Sequence, residues 1–151
     1  MDYDTVVVGA GPGGSTTARF AAKNGARTLL LEKRDEIGVP VRCGEGIAPK
    51  WLEMVGVPLE GDWIANRVRG AKIYSPNGNS LTIEDDNLGT EVGMVIHRDK
   101  LDQFLAKLAE DDGAEVRTGV TVTDLLWNGE DVCGVKIRDS NGKESEITCG
   151  V

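Results

Sequence analysis

The chain begins MDYDTVVVGAGPGG, and few local patterns leave a polypeptide so little choice of fold. The run DTVVV, residues 4–8, is apolar and β-branched, the signature of a strand buried on both faces. It breaks into Gly9, Gly11 and Gly14, spaced G-x-G-x-x-G. From Ser15 to Asn24 the pattern turns helical, with Ala18, Ala21 and Ala22 on one face, and Asn24-Gly25 supplies a left-handed stop. TLLLE, residues 28–32, is a second buried strand. Two parallel strands joined by a helix make a right-handed βαβ unit, so the expected class is α/β with a Rossmann-like parallel sheet.

Within such a unit the glycines have separate tasks. Gly9 permits the tight turn, Gly11 lets the backbone approach a pyrophosphate, and Gly14 lets helix and strand pack closely. Pro12 and Gly13 complete the loop, and the helix start adds free N–H groups and a positive dipole end. Glu32 closes the second strand at about the spacing where a carboxylate accepts hydrogen bonds from a ribose. The motif alone is weak, but its position between a buried strand and a helix makes this a dinucleotide site. Lys33 is counted among the cofactor neighbours. Lys33 with Arg34 would suit the 2′-phosphate of NADP, but the carboxylate of Glu32 would repel that phosphate, and the two basic residues are read as a solvated charge pair.

The next stretch bears on which dinucleotide it is. Residues 33–97, rich in glycine, proline and short alternating segments, intervene before the next helix. An insertion with its own strands, followed by a helix and a third parallel strand, is the layout of flavin-binding oxidoreductases, and the expected cofactor is FAD. AKIYS and SLTIE flank PNGN as a hairpin, and GMVIH, residues 93–97, is a further strand. RDKLDQFLAKLAEDDG is an amphipathic helix with Leu101, Phe104, Leu105 and Leu108 on one stripe and Gly113 at its end. AEVRTG follows as the third parallel strand. In the tail, Val135 and Ile137 alternate before Asn141-Gly142, and Ile147, Cys149 and Val151 alternate after it. A two-residue turn would put these apolar sets on opposite faces. A three- or five-residue loop unites them, so a bulged hairpin is expected, with residue 137 opposite 147.

Composition excludes some partners. A net charge of −8 and a pI near 4.7, with no basic stripe, argue against nucleic acid. They also argue against a strong electrostatic anchor on anionic lipid, while a greasy peripheral membrane contact stays open. The acidic N-terminus runs straight into a strand, unlike a signal peptide, and no apolar run approaches the roughly 20 residues of a membrane span. A cytoplasmic setting is therefore expected, with Cys43, Cys133 and Cys149 as reduced thiols. His97 stands alone without a ligand cluster and is read as structural, so no metal is expected.

Three stretches carry a resemblance: VVVGAGPGGSTTARFAAKNG, LLLEKRDEIGVPVRCGEGI and VIHRDKLDQFLAKLAEDDGAEV. They resemble the archaeal geranylgeranyl reductases, FAD enzymes that saturate digeranylgeranylglycerophospholipids. The first and third are shared with the wider p-hydroxybenzoate-hydroxylase-like flavoproteins, whereas PVRCGEG after E-K-R-x-E-I-G is more diagnostic. IANRVRGAKIYSPNG also looks like that family's start of the substrate-domain sheet. The resemblance implies that Glu32 holds the adenosine ribose, Arg98 points towards the pyrophosphate and Val122 meets adenine through its backbone. It further implies that Cys43, Gly44 and Gly46 approach the flavin, and Arg42 is counted among the cofactor-binding residues. Residues 1–70 would be the first part of the FAD-binding domain, 71–97 the start of the substrate-domain sheet, and 98–151 the continuation of the FAD-binding domain with its β-hairpin. Family members run to more than twice this length, with a second flavin motif and a substrate pocket downstream, so the chain would be an N-terminal portion. The implied partners are an isoprenoid lipid and an electron donor, either NAD(P)H or ferredoxin-like.

Reducing an isolated alkene calls for hydride and a proton, so an acid near the flavin would help. Cys43 is the candidate catalytic residue, with Glu45 beside it. Cys43 beside Arg42 could instead act as a redox thiol, or simply pack as a small residue against the ring. Two other functions stay open: a flavin monooxygenase or halogenase of the same fold, and a non-catalytic fragment binding the ADP half of FAD.

Overall fold

The computed structural model describes residues 1–84 and 93–151. Contacts divide the chain into two compact units, Met1–Val41 with Asp102–Val151, and Arg42–Leu101. Within the second unit residues 46–47 and 64–68 pair with 93–96. Among the described residues, no helix is long and apolar enough to cross a membrane.

The first unit is built on a parallel sheet of β1 (Thr5–Val8), β2 (Thr28–Leu31) and β8 (Glu115–Arg117), in the order β1-β2-β8. The central strand β2 is buried at every position. Its side chains alternate between two cores. Leu30 packs with Ala10, Ala18, Ala109 and Ala114, whereas Leu29 and Leu31 pack with Val135, Ile137 and Ile147. Each leucine so buried contributes about 1.5–3 kcal/mol.

Helix α1 spans Pro12–Lys23, starting ahead of the expected Ser15. Proline at the first helical position has no N–H to leave unsatisfied, which brings Gly13 and Gly14 into the first turn. The stop is as expected: Gly25 has φ +90, and the N–H of Ala26 donates to the carbonyl of Ala21.

The second core is closed by an antiparallel meander, β9 (Thr121–Asn128), β10 (Asp131–Arg138) and β11 (Glu144–Thr148). Strand β9 is a component the sequence reading lacked. The last hairpin is bulged as expected, and Val135, Ile137, Ile147 and Cys149 are all buried. The exact register differs: Ile137 faces Ser145 and Val135 faces Ile147, not 137 facing 147. An odd loop sets which face a side chain takes, but not which of two registers is used. Here the N–H of Asp139 donates to Lys143, the N–H of Gly142 donates to Asp139, and Gly142 sits at φ +82. The chain end then returns along β1, with Tyr3 and Cys149 bridged in parallel and Val6 N–H donating to Val151.

The second unit holds the sheet β3 (Gly46–Ile47), β7 (Gly93–Ile96) and β4 (Ile64–Val68), in the order β3-β7-β4. It also contains the short helix α2 (Pro49–Met54) and the expected hairpin β5–β6 (Gly70–Tyr74 and Ser80–Glu84). Trp63, Met94 and Ile96 are its most deeply buried side chains. Helix α3 (Arg98–Asp111) carries the expected stripe: Leu101 and Leu105 are buried, and Phe104 and Leu108 partly so.

Candidate functional site

In an open parallel sheet, ligands bind beyond the carboxyl ends of the strands. The first unit has a cleft of about 480 Å³ at that place, lined by residues that include Val8, Gly9, Glu32, Lys33, Thr121 and Val122. The structure thus brings the predicted Gly9, Glu32, Lys33 and Val122 together. Val8, Leu31, Arg34, Val120 and Thr121 were missed as lining residues. Val8 ends β1 at the carboxyl edge of the sheet and is 57 % exposed, although its apolar run reads as buried.

The glycine loop is shaped by sterics. A Cβ on Gly14 would lie 1.8 Å from the carbonyl oxygen of Gly9, so only glycine fits there. By contrast a Cβ on Gly11 or Gly13 would meet nothing within 4 Å, which leaves their side open. The first intrahelical bond of α1 runs from the N–H of Ser15 to Gly11. The N–H groups of Gly13 and Gly14 come before it, and α1 has neither a side-chain cap nor an acidic residue in its first turn. That helix end is suited to an anion.

Glu32 is 8 % exposed, and its carboxylate is tied at both oxygens. Oε2 accepts from the N–H of Ala10 at 2.9 Å and Oε1 from the N–H of Arg34 at 3.0 Å. Its backbone is held as well, its N–H donating to Arg117 and its carbonyl accepting from Val120. Lys33 is exposed at the cleft wall, and Val122 packs partly into the core below it while pairing with Ile137. An open glycine face, free helix N–H groups and a carboxylate fixed to the loop at Ala10 fit the ADP half of a dinucleotide such as FAD.

The second unit contains the other predicted group. Arg42, Cys43, Gly44 and Gly46 are exposed, and a Cβ on either glycine would meet nothing within 4 Å. Glu45 organises the turn. It has φ 59, unusual for a residue with a side chain, and three groups hold it there. Its N–H donates to Cys43 Sγ at 3.4 Å, its carbonyl accepts from Ile96, and its carboxylate accepts from the N–H of Arg98. The Glu45 N–H, and after it the Arg98 guanidinium, hold the Cys43 thiol below its ordinary 9.0. Arg98 opens α3, as predicted, and sits by Cys43. Arg42, expected to perturb the thiol, is not among the groups that lower it; Arg98 takes that place. His97 lends its carbonyl to the first turn of α3, accepting from Leu101. The role of Glu45 was hidden in the sequence, because two of its three partners, Ile96 and Arg98, lie some 50 residues away.

The chain is 43 % identical over 142 residues to the digeranylgeranylglycerophospholipid reductase of Picrophilus torridus, covering 93 % of this chain and 36 % of that protein. It is 46 % identical over 140 residues to the Thermoplasma acidophilum reductase of the same name, covering 92 % and 35 %. The chain therefore spans about a third of the length of these relatives. Its fold superposes with TM-score 0.91 on a geranylgeranyl bacteriochlorophyll reductase-like protein from Thermoplasma acidophilum, at 43 % identity over 97 % of this chain and 37 % of that one. A myxobacterial chondrochloren halogenase is more distant, with TM-score 0.83, 27 % identity and coverage of 97 % and 35 %. Residues 4–151 match the family described as FAD dependent oxidoreductase, and the chain belongs to that family.

Proposed function

We propose that this chain is the FAD-binding portion of a reductase that saturates the isoprenoid double bonds of digeranylgeranylglycerophospholipids. The observation that carries the reading is identity of 43–46 % to reductases of that name across more than nine-tenths of the chain. The halogenase stands at 27 %. The PVRCGEG loop is the segment expected to distinguish the two chemistries.

FAD, when bound, supplies the hydride. The N–H groups of Gly13 and Gly14 hold its pyrophosphate, Gly9 and Gly11 give it room, and Glu32 accepts from the adenosine ribose with Lys33 beside it. Val122 offers backbone to the adenine. Arg42, Cys43, Gly44 and Gly46 are assigned to the flavin end and Arg98 to the pyrophosphate. Cys43 is assigned to proton delivery, because a thiol brought down towards the working pH transfers protons better than an ordinary one. The substrate is an isoprenoid lipid reached by a peripheral membrane contact on the cytoplasmic side, and the electron donor is NAD(P)H or ferredoxin-like.

Two measurements test this. Purified chain titrated with FAD should show a saturable rise in Tm. No rise, and no yellow colour in the purified protein, would reject the cofactor site. A chimera carrying these residues in place of the matching third of the Thermoplasma acidophilum reductase should saturate the lipid. Oxygen consumption coupled to NADPH without lipid saturation would favour a monooxygenase instead.

A further inference from the structure

The meander places two thiols face to face. Gly134 pairs with Thr148 and Val135 with Ile147, and one step beyond in the same register Cys133 lies opposite Cys149. The N–H of Cys149 donates to the carbonyl of Cys133 at 2.9 Å, one bond past the paired stretch and at the residue where β10 bulges against β9. Directly opposed residues of a hydrogen-bonded antiparallel pair lie about 5.5 Å apart at Cα, and their side chains share a face. Disulfides span Cα separations of about 4.4–6.8 Å. Cys133 is partly exposed and open to reagents, whereas Cys149 is 3 % exposed behind it. Burial pushes the Cys149 thiol up, and the neighbouring Cys133 pushes it further, as expected for two sulfurs in one environment.

We propose that Cys133 and Cys149 form a two-electron redox site that closes to an intrachain disulfide on exposure to a hydroperoxide. The Cys133 thiolate attacks the peroxide oxygen, the O–O bond breaks, and water leaves with Cys133 as sulfenic acid. Cys149 then attacks that sulfur, the S–O bond breaks, and a second water is released. The net change is two thiols and one hydrogen peroxide to one disulfide and two waters, which dithiothreitol reverses. The bridge would fasten β10 to the returning chain end, which is already bonded to β1 through Asp4 and Val6. It would thereby lock the meander onto the parallel sheet.

The test treats the reduced native chain with hydrogen peroxide, quenches it, and maps thiols and linked peptides by mass. The expected result is loss of both thiols together and a peptide pair joined through Cys133 and Cys149, lighter by two hydrogens. Tm should rise by roughly 6–12 °C and return on reduction. Cys133→Ser and Cys149→Ala should each abolish the linked peptide and the rise. Cys133 and Cys149 remaining titratable once Cys43 is oxidised would overturn the proposal, as would sulfinic acid on Cys133 or a disulfide between chains. Equal rates of linkage in the native and urea-unfolded chain would also overturn it, since the strands would then contribute nothing.

Discussion

Replacing Gly14 with alanine tests the tightest point of the glycine loop. The added Cβ would stand 1.8 Å from the Gly9 carbonyl oxygen and 3.1 Å from its carbon. A comfortable carbon–oxygen contact is about 3.3 Å, so loop and helix must separate by roughly 1.5 Å. Both sides of the clash are backbone, and no rotamer change relieves it. The cost therefore reaches or exceeds the upper end of overpacking penalties, about 3 kcal/mol. That is a large share of the 5–15 kcal/mol typical of a domain. Gly13→Ala is the matched control, because its Cβ meets nothing within 4 Å and the residue is already helical. It should leave stability unchanged or raise it by about 0.4–1 kcal/mol through the unfolded chain. Urea unfolding followed by circular dichroism measures both, with the midpoint shift read at constant slope. If Gly14→Ala unfolds within 0.5 kcal/mol of the parent (about the reach of a neutral surface change), the packing argument fails. Equal losses in the two variants would refute it as well.

Glu32→Gln places an amide NH2 where one carboxylate oxygen now accepts a backbone N–H, and should cost about 2 kcal/mol without cofactor. FAD titration should show a further loss of tenfold or more, and a variant matching the parent in both would exclude Glu32 from the site. Arg98→Ala removes a group that favours the Cys43 thiolate, so alkylation of Cys43 at neutral pH should slow and its pH profile move up. The sign for stability follows: the folded thiol ionises below the unfolded one, so its contribution is present above the unfolded pKa and fades as pH falls through the folded pKa. An unchanged alkylation profile would remove Arg98 from that role. Asp139→Ala deletes the Oδ1 that accepts from the N–H groups of Asn141 and Lys143, each at 2.9 Å, and should cost about 1 kcal/mol in the same urea assay.

These positions also show why parts of the molecule could be read in advance. The parallel strands, the glycine loop and Glu32 were legible because each signal is local: an apolar run, a spacing, a turn residue. The helix start was misplaced because Pro12-Gly13-Gly14 looks like loop, although proline suits a first helical position. In the second unit the strand GMVIH was legible, but its pairing was not. Gly46 pairs with Val95 and Ile47 with Met94, and a two-residue strand has no period to recognise. The hairpin register failed by two residues because Asp139 bonds into its own loop, a choice that face alternation cannot resolve. Glu45 is the plainest case. The letters PVRCGEGI mark a turn and a thiol, but the three bonds that hold Glu45 at φ 59 include two to residues beyond position 95.

Bracing and recognition at Glu32 draw on the same carboxylate, and lone-pair geometry decides whether they compete. Each carboxylate oxygen can accept about two hydrogen bonds. Ala10 uses one site on Oε2 and Arg34 one on Oε1, which leaves one on each oxygen. Two ribose hydroxyls require two acceptors. The backbone bonds therefore leave room for the ligand, and they fix the carboxylate before it arrives. A free glutamate would lose side-chain entropy on binding, whereas this one has lost it on folding. The same bond joins the two halves of the motif, since Ala10 lies between Gly9 and Gly11 in the phosphate loop. In the proposed site, a ribose held by Glu32 and a pyrophosphate held by the helix start would be registered to each other through one 2.9 Å contact. Loosening that contact should weaken affinity for the ADP half as a whole rather than for the ribose alone.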